Sequence, residues 1–293
     1  MKLKKNMNQF ALIIIFAFAC LLIVLPFFLM LSISLSNEAD ISKYGYSFIP
    51  RDVNFSAYKY IFENPKSIID AYKVTAIFSV ASMILTVLFT AHISYPLSKK
   101  GFRARKYLSF YLYFTMLFSG GLVPTYILIT RYLHLNNTIF VYILPTLVSA
   151  WNVFMMRTFF SNIPEEICEA AFVDGAGEYM IFWRIVLPLS KPVLATIALT
   201  TFLAKWNDWN TAMLYIDDES LISLQYLLQR ILSNIQMLQQ TEDAVNRMVS
   251  VKDIPTETVR MAMAIVVAGP VLFAFPFFQK YFVKGLTVGG VKG

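Results

Sequence analysis

Six long apolar runs constrain this chain more than any other feature. They cover about 10–35, 71–97, 107–130, 138–160, 193–216 and 259–283. Each reaches the roughly 20 residues a helix needs to cross a hydrocarbon core. Backbone groups that face lipid must be satisfied within their own segment, so the runs predict helices. The alternating, turn-punctuated pattern of a transmembrane barrel is missing. Composition agrees, with 57% of residues hydrophobic and 15% charged, where soluble domains are about a quarter charged. The expected fold is all-α: a polytopic membrane protein with six transmembrane helices, forming one domain over residues 1–293.

The first run follows Lys2, Lys4 and Lys5, as a signal peptide would, but its length reads as a retained anchor. Lys and Arg in short flanks set orientation. The N-terminal lysines, the cluster Lys99, Lys100, Arg103, Arg105 and Lys106, and the C-terminal Lys280, Lys284 and Lys292 fall on one side of a six-span chain. That side is expected to be cytoplasmic, in a multi-pass protein of the cell membrane with both termini inside. The net charge of +7 then reports topology rather than a nucleic-acid surface. Cys20 and Cys168 fall on different sides and predict no disulfide.

External loops are expected at about 36–70, 131–137 and 217–257. In the last, Leu224, Leu228, Ile231, Ile235 and Leu238 recur at three- and four-residue steps, one apolar stripe on a helix. Gln225, Gln229, Ser233, Gln236 and Gln240 lie opposite. A helix packed on the outer mouth of the bundle is expected, with docking of an external partner as the sharper alternative.

The cytoplasmic connection 161–192 is the least lipid-like part of the chain. Pro164 opens a short helix with Glu165 and Glu166 in its first turn, where the helix dipole favours acids. Gly175 and Gly177 allow a break, and a second helix carries Phe182, Ile185 and Leu187 before Pro188 and Pro192. Ala170 and Ala171 let another protein approach closely. An amphipathic loop resting on the membrane is a poor alternative, because an anionic inner leaflet repels acids.

The pattern Glu169-Ala170-Ala171, Asp174-Gly175-Ala176, Phe182, Ile185, Leu187-Pro188 and Pro192 resembles the EAA loop of binding-protein-dependent ABC importer permeases. The whole layout is similar to MalG-like carbohydrate permeases. SGGLVPTY (119–126), AKWNDWNTAMLYI (204–216) and the tail from Val259 are similar to their LplC/YtcP-type branch, which handles complex oligosaccharides. The resemblance implies a type I ABC importer (MetI-like) permease fold. It makes Glu169, Ala170, Ala171, Asp174, Gly175 and Ala176 the coupling segment that seats on an ATPase. It also implies the partners: a second related permease forming a heterodimer, two ATPase subunits, an external solute-binding protein, the lipid bilayer and an oligosaccharide substrate. ATP and Mg²⁺ would be bound by the ATPase; this chain would hold no cofactor.

LAKWNDWN (203–210) places Lys205, Trp206, Asn207, Asp208 and Asn210 in an expected span, where charge is costly and usually faces a cavity or a partner. Lys205 and Asp208 are three apart and can pair. Amides, a carboxylate and flat rings suit a sugar, so Trp206, Asn207, Asp208 and Asn210 are candidate pathway residues. A structural polar cluster at a subunit interface, or an aromatic belt, fits the same residues. Ser119-Gly120-Gly121 with Pro124 predicts a packing kink, with Tyr126 as a pathway candidate if the kink gates.

No GxxxxGK[ST], HExxH, GxSxG or CxxC pattern occurs, so no catalytic or metal-ligating residue is expected. A stand-alone secondary transporter or channel is the alternative class. It offers no purpose for an acidic helix-loop-helix, and inverted repeats are not evident.

Overall fold

The computed structural model describes residues 2–63, 65–245 and 256–289. Lys292 and the stretch 246–255 of the last expected external loop lie outside them. Helices run in the order α1 Lys2–Ser34, α2 Glu38–Tyr44, α3 Ser56–Ile61, α4 Pro65–Ser98, α5 Arg105–Leu117, α6 Leu122–Ile127, α7 Phe140–Ile143, α8 Ala150–Ser161, α9 Glu165–Val173, α10 Glu178–Ile181, α11 Leu187–Leu189, α12 Lys191–Trp206, α13 Asn210–Tyr215, α14 Leu224–Val245 and α15 Glu257–Gly289. Among the described residues β pairing is limited to one isolated bridge, Ser36 with Val53.

Leu12–Ser34 and Pro65–Ser98 are each long and apolar enough to cross a membrane among the described residues. Three further runs fold as bent pairs, not as continuous helices: Arg105–Leu117 with Leu122–Tyr132 at 114°, Phe140–Thr146 with Ala150–Ser161 at 56°, and Glu178–Leu189 with Lys191–Trp206 at 76°. Counting each bent pair once gives up to five crossings. The 114° corner falls where the glycines predict it, with Gly121 at φ +84°, a conformation that costs a non-glycine residue. The run 193–216 also differs from one uninterrupted helix, because α12 stops at Trp206 and α13 starts at Asn210.

The chain divides into two compact units, Met1–Lys66 with Leu228–Pro270, and Ser67–Leu227 with Val271–Gly293. In the first, Ser32 Oγ donates to the Ser47 carbonyl (2.7 Å), and the Ser34 and Tyr58 hydroxyls share a hydrogen bond (2.9 Å). Glu38 caps α15. Its Oε1 accepts from Thr256 Oγ1 (2.9 Å) and the Glu257 amide (3.0 Å), and its Oε2 from the Thr258 amide (3.0 Å) and Thr258 Oγ1 (2.7 Å). These bonds satisfy amide donors that a helix start leaves open, and they set a carboxylate at the positive end of the dipole.

Burial pushes the Glu38 carboxyl up, but the bonds from Thr258, Glu257 and Thr256 outweigh it and hold the pKa below the ordinary 4.5. A depressed carboxylate contributes stability above its unfolded pKa and loses it as pH falls through the folded value. Glu38→Gln is therefore expected to lower stability at neutral pH by about 1.5–3 kcal/mol, the range for charge-assisted hydrogen bonds. Thermal unfolding in detergent across pH checks this. The gap between wild type and variant should close as pH falls below the ordinary carboxylate range and the wild-type carboxyl protonates.

In the second unit α4 is the central post. Its buried face carries Thr75, Ser79, Ser82, Thr86, Thr90 and Ser94, small residues that let neighbouring helices approach closely. Thr75 Oγ1 accepts from the Leu224 amide (2.9 Å), and Ser94 Oγ donates to the Val153 carbonyl (3.0 Å). Two apolar clusters form along this helix. One joins Val74 and Phe78 to Val141, Tyr142, Tyr215 and Ile216. The other joins Ala91 to Met156, Phe160, Ile181, Phe182, Val186, Val193 and Ile197. The expected stripe on α14 starts as read, with Leu224 and Leu228 buried and Gln229, Ser233 and Gln236 exposed.

Candidate functional site

The connection 161–192 folds as a hook. Pro164 precedes α9, with Glu165 and Glu166 in its first turn. At the other end the Ala176 amide donates to the Ala171 carbonyl (2.9 Å), and the Gly175 amide to the Phe172 carbonyl (3.0 Å). Gly175 sits at φ +86°. This is the left-handed glycine cap that reverses a chain while satisfying the helix's last carbonyls. A Cβ at Gly175 would meet nothing within 4 Å, so the requirement for glycine is conformational rather than steric.

Beyond the turn the chain re-enters helix as α10, passes through a π-helical stretch at Phe182–Val186 and continues as α11. Pro188 makes a continued α-helix costly, because it lacks an amide donor and its ring crowds the preceding turn. The π turn resolves this: the Leu187 amide bonds back to the Phe182 carbonyl, and Pro188 falls at the start of the next α segment, where no donor is needed.

The alanines have different roles in the geometry. Ala171 and Ala176, with Cys168, pack against the Phe160–Phe182–Val186 cluster. Glu169, Ala170, Asp174 and Gly175 are exposed. Beside them Phe172 is 64% exposed and Val173 86% exposed. Two bare apolar side chains thus stand next to acids on a helix that packs on the unit through Cys168 and Ala171. Val173 lies opposite the Cys168–Ala171 face, whereas Phe172, four residues after Cys168, sits at the edge of that face. A cleft of about 860 Å³ runs along the inner flank of α9, lined by Tyr95, Lys100, Phe102, Cys168, Glu169 and Phe172 among others.

Two cations orient the hook. Lys100 Nζ lies 3.2 Å from Glu165 Oε2, and Lys99 Nζ lies 4.0 Å from Glu178 Oε2, which also accepts from the Tyr95 hydroxyl. Exposed pairs of this kind contribute about 0–1 kcal/mol each, so they position α9 and α10 against the end of α4 more than they stabilise it. They link residues far apart in sequence, beyond the reach of local pattern.

The expected pathway residues gather at the α12–α13 break. Trp206 is buried, with Tyr72 and Phe202 rings 6.3 and 5.6 Å from its own. Lys205 is buried, donates to the Tyr142 carbonyl, and lies 3.8 Å from Asp208 Oδ2. Asp208 also accepts from the Thr211 amide (3.0 Å) and hydroxyl (2.7 Å), capping the start of α13. Its carbonyl accepts from Ser223 Oγ (2.9 Å). Asn207 is exposed and accepts from Gln225 Nε2 (2.9 Å), and Asn210 is exposed. Tyr126 stacks on Tyr215 at 5.6 Å with one edge open. Lys205 and Asp208 thus hold the α12–α13 break, while Asn207, Asn210 and Tyr126 keep polar atoms at a surface.

A family model described as "Binding-protein-dependent transport system inner membrane component" matches residues 67–288. The chain belongs to this family. The permease is 36% identical to the polygalacturonan/rhamnogalacturonan transport system permease protein YtcP of Bacillus subtilis (strain 168) over 291 residues, 98% of each chain. It is 34% identical to Protein LplC of the same organism over 270 residues, 92% of this chain and 90% of that one. Its fold matches a chain in the crystal structure of a bacterial ABC transporter involved in the import of the acidic polysaccharide alginate, with a TM-score of 0.77 and 28% identity, covering 95% and 98% of the two chains. The permease therefore has the MetI-like permease fold and is the non-catalytic membrane subunit of an ABC importer, with ATP hydrolysis on a separate subunit.

Proposed function

We propose that the permease imports a carbohydrate, an oligosaccharide or polysaccharide fragment, and that α9 with the Gly175 turn is its coupling segment. The observation that carries the second claim is the hook itself. It exposes Glu169, Ala170 and the Phe172–Val173 pair, with Glu169, Phe172 and Val173 bordering the cleft, while Cys168, Ala171 and Ala176 are packed and Glu165 and Glu178 ion-paired to the rest of the unit. Force applied to such a segment reaches α4 and α12 directly, because Ala91, Phe182, Val193 and Ile197 share one cluster.

On this reading the chain makes six crossings, with α15 as the last, both termini in the cytoplasm and the hook on the inner side. It pairs with a second related permease, each docks one ATPase, and an external solute-binding protein delivers the sugar. ATP and Mg²⁺ sit on the ATPases. Nucleotide-driven closure shifts the population between inward- and outward-open states by differential affinity. Asn207, Asn210 and Tyr126 are the groups placed to meet hydroxyls and the apolar faces of sugar rings, and the bent spans give the bundle its hinges.

The carbohydrate assignment is supported by relatives whose substrates are polysaccharides or their fragments. Uptake of radiolabelled oligogalacturonides by cells with and without the gene tests it. The expected result is loss of uptake on deletion, restored by the gene, with amino-acid uptake unchanged. Unchanged uptake of every oligosaccharide tried, acidic or neutral, contradicts the assignment.

A further inference from the structure

A second feature at the same end of the molecule lies outside the coupling segment. Between the start of α5 and the last turn of α8 is a pocket of about 480 Å³ whose lining includes Lys100, Arg103, Arg105, Lys106, Ser109 and Arg157. Five of these six are cations, and no carboxylate lines the pocket. Lys100 leans towards Glu165, but Arg103, Arg105, Lys106 and Arg157 form no ion pair among the described residues.

Arg157 is half-buried and donates from Nη1 to Ser109 Oγ (2.9 Å). That bond fixes the guanidinium across the α5–α8 contact, with most of its five donors unspent. The start of α5 adds to the positive field, since its first turn has no acid and Ala104 provides no side-chain cap. Positive charges held this close repel one another unless an anion joins them. Phe102 lines the pocket itself, and on α5 the exposed Phe110 follows Lys106 by one turn and leads round the helix to an open apolar wall of Tyr107, Tyr111 and Phe114.

We propose that this pocket binds the phosphate headgroup of an anionic phospholipid, with the acyl chains lying along α5. A phosphodiester supplies oxygens for the unspent guanidinium donors and the negative charge that the lining lacks. The aromatic wall distinguishes an amphiphile from a free anion. Basic pockets between spans at the cytoplasmic face hold lipid headgroups for these reasons. The side of the membrane follows from the topology proposed above; the pocket itself does not depend on it.

The test is native mass spectrometry of the full-length permease in detergent, after incubation with phosphatidylglycerol or phosphatidylcholine. Phosphatidylglycerol is expected to be retained about tenfold more than phosphatidylcholine, a difference of about 1.4 kcal/mol. Arg105→Gln with Arg157→Gln should remove the preference, while Lys43→Gln with Lys59→Gln, an equal loss of charge elsewhere, should keep it. If the first pair does not insert, Arg103→Gln with Lys106→Gln, both at exposed positions, should show the same loss.

Three results overturn the proposal. One is equal retention of the two lipids by the wild type. Another is displacement of phosphatidylglycerol by millimolar inorganic phosphate, which marks a free-anion site. The third is a double variant that keeps the lipid but loses a copurifying ATPase, which assigns the cluster to a protein acid. The assay uses neither nucleotide nor sugar, so its failure leaves the transport reading standing.

Discussion

Gly175→Val is expected to cut nucleotide-driven uptake by at least about tenfold, equivalent to about 1.4 kcal/mol or more, while membrane insertion stays normal. The reason lies in one torsion. Gly175 sits at φ +86°, where a side chain costs roughly 1–2 kcal/mol and a β-branched one more. Nothing lies within 4 Å of the added Cβ, so the surrounding fold need not move. The strain falls on the turn, whose Ala176–Ala171 and Gly175–Phe172 bonds set the angle between α9 and α10. Relieving it swings Glu169 and the exposed Phe172–Val173 pair away from their places. Asn tolerates this region better than any other side chain, so Gly175→Asn should retain intermediate uptake. Transport and ATPase rates measured together separate uncoupling, with hydrolysis persisting while transport falls, from loss of the protein.

The second large effect is on stability. Lys205→Met should destabilise the folded permease by about 3–5 kcal/mol, the usual loss when one partner of a buried pair is removed. Lys205 is 7% exposed, donates to the Tyr142 carbonyl and faces Asp208. Its removal leaves that carbonyl without this donor and Asp208 with only its Thr211 bonds. Lys205→Met with Asp208→Asn should recover part of the loss, because no uncompensated carboxylate remains. Thermal unfolding of the purified single and double variants measures both. A single variant as stable as wild type contradicts this role of the pair in holding the α12–α13 break.

The features legible in sequence are those that local pattern dictates. The apolar runs marked the helices, Pro164 the start of α9, the glycines the corner at Gly121 and the turn at Gly175, and the three-residue spacing the Lys205–Asp208 pair. Three kinds of feature were not legible. The π turn at Phe182–Val186 is a local accommodation of Pro188 that leaves no distinct composition. The break at 147–149 interrupts a run whose hydropathy gives no warning, and the break at 207–209 falls on a polar cluster whose spacing does not say that the helix ends there. In the second case the Lys205–Asp208 pair holds the break, and the same residues fit either a pathway lining or a structural polar cluster. Contacts between distant residues, Glu38 with Thr256 to Thr258 and Lys99 with Glu178, depend on packing that periodicity cannot report. The residues proposed for coupling follow the same rule: the motif names them together, but only the packing separates half-buried Ala171 and Ala176 from exposed Glu169 and Ala170.

The most direct test of the account is a cross-link from the hook. Ala170→Cys, in a chain with Cys20 and Cys168 changed to Ser, is expected to cross-link to the ATPase subunit in inside-out vesicles, and adding ATP should change the rate. Reaction of that cysteine with a membrane-impermeant reagent only from outside intact cells would contradict the account. So would uptake at full rate from a complex in which no ATPase approaches it.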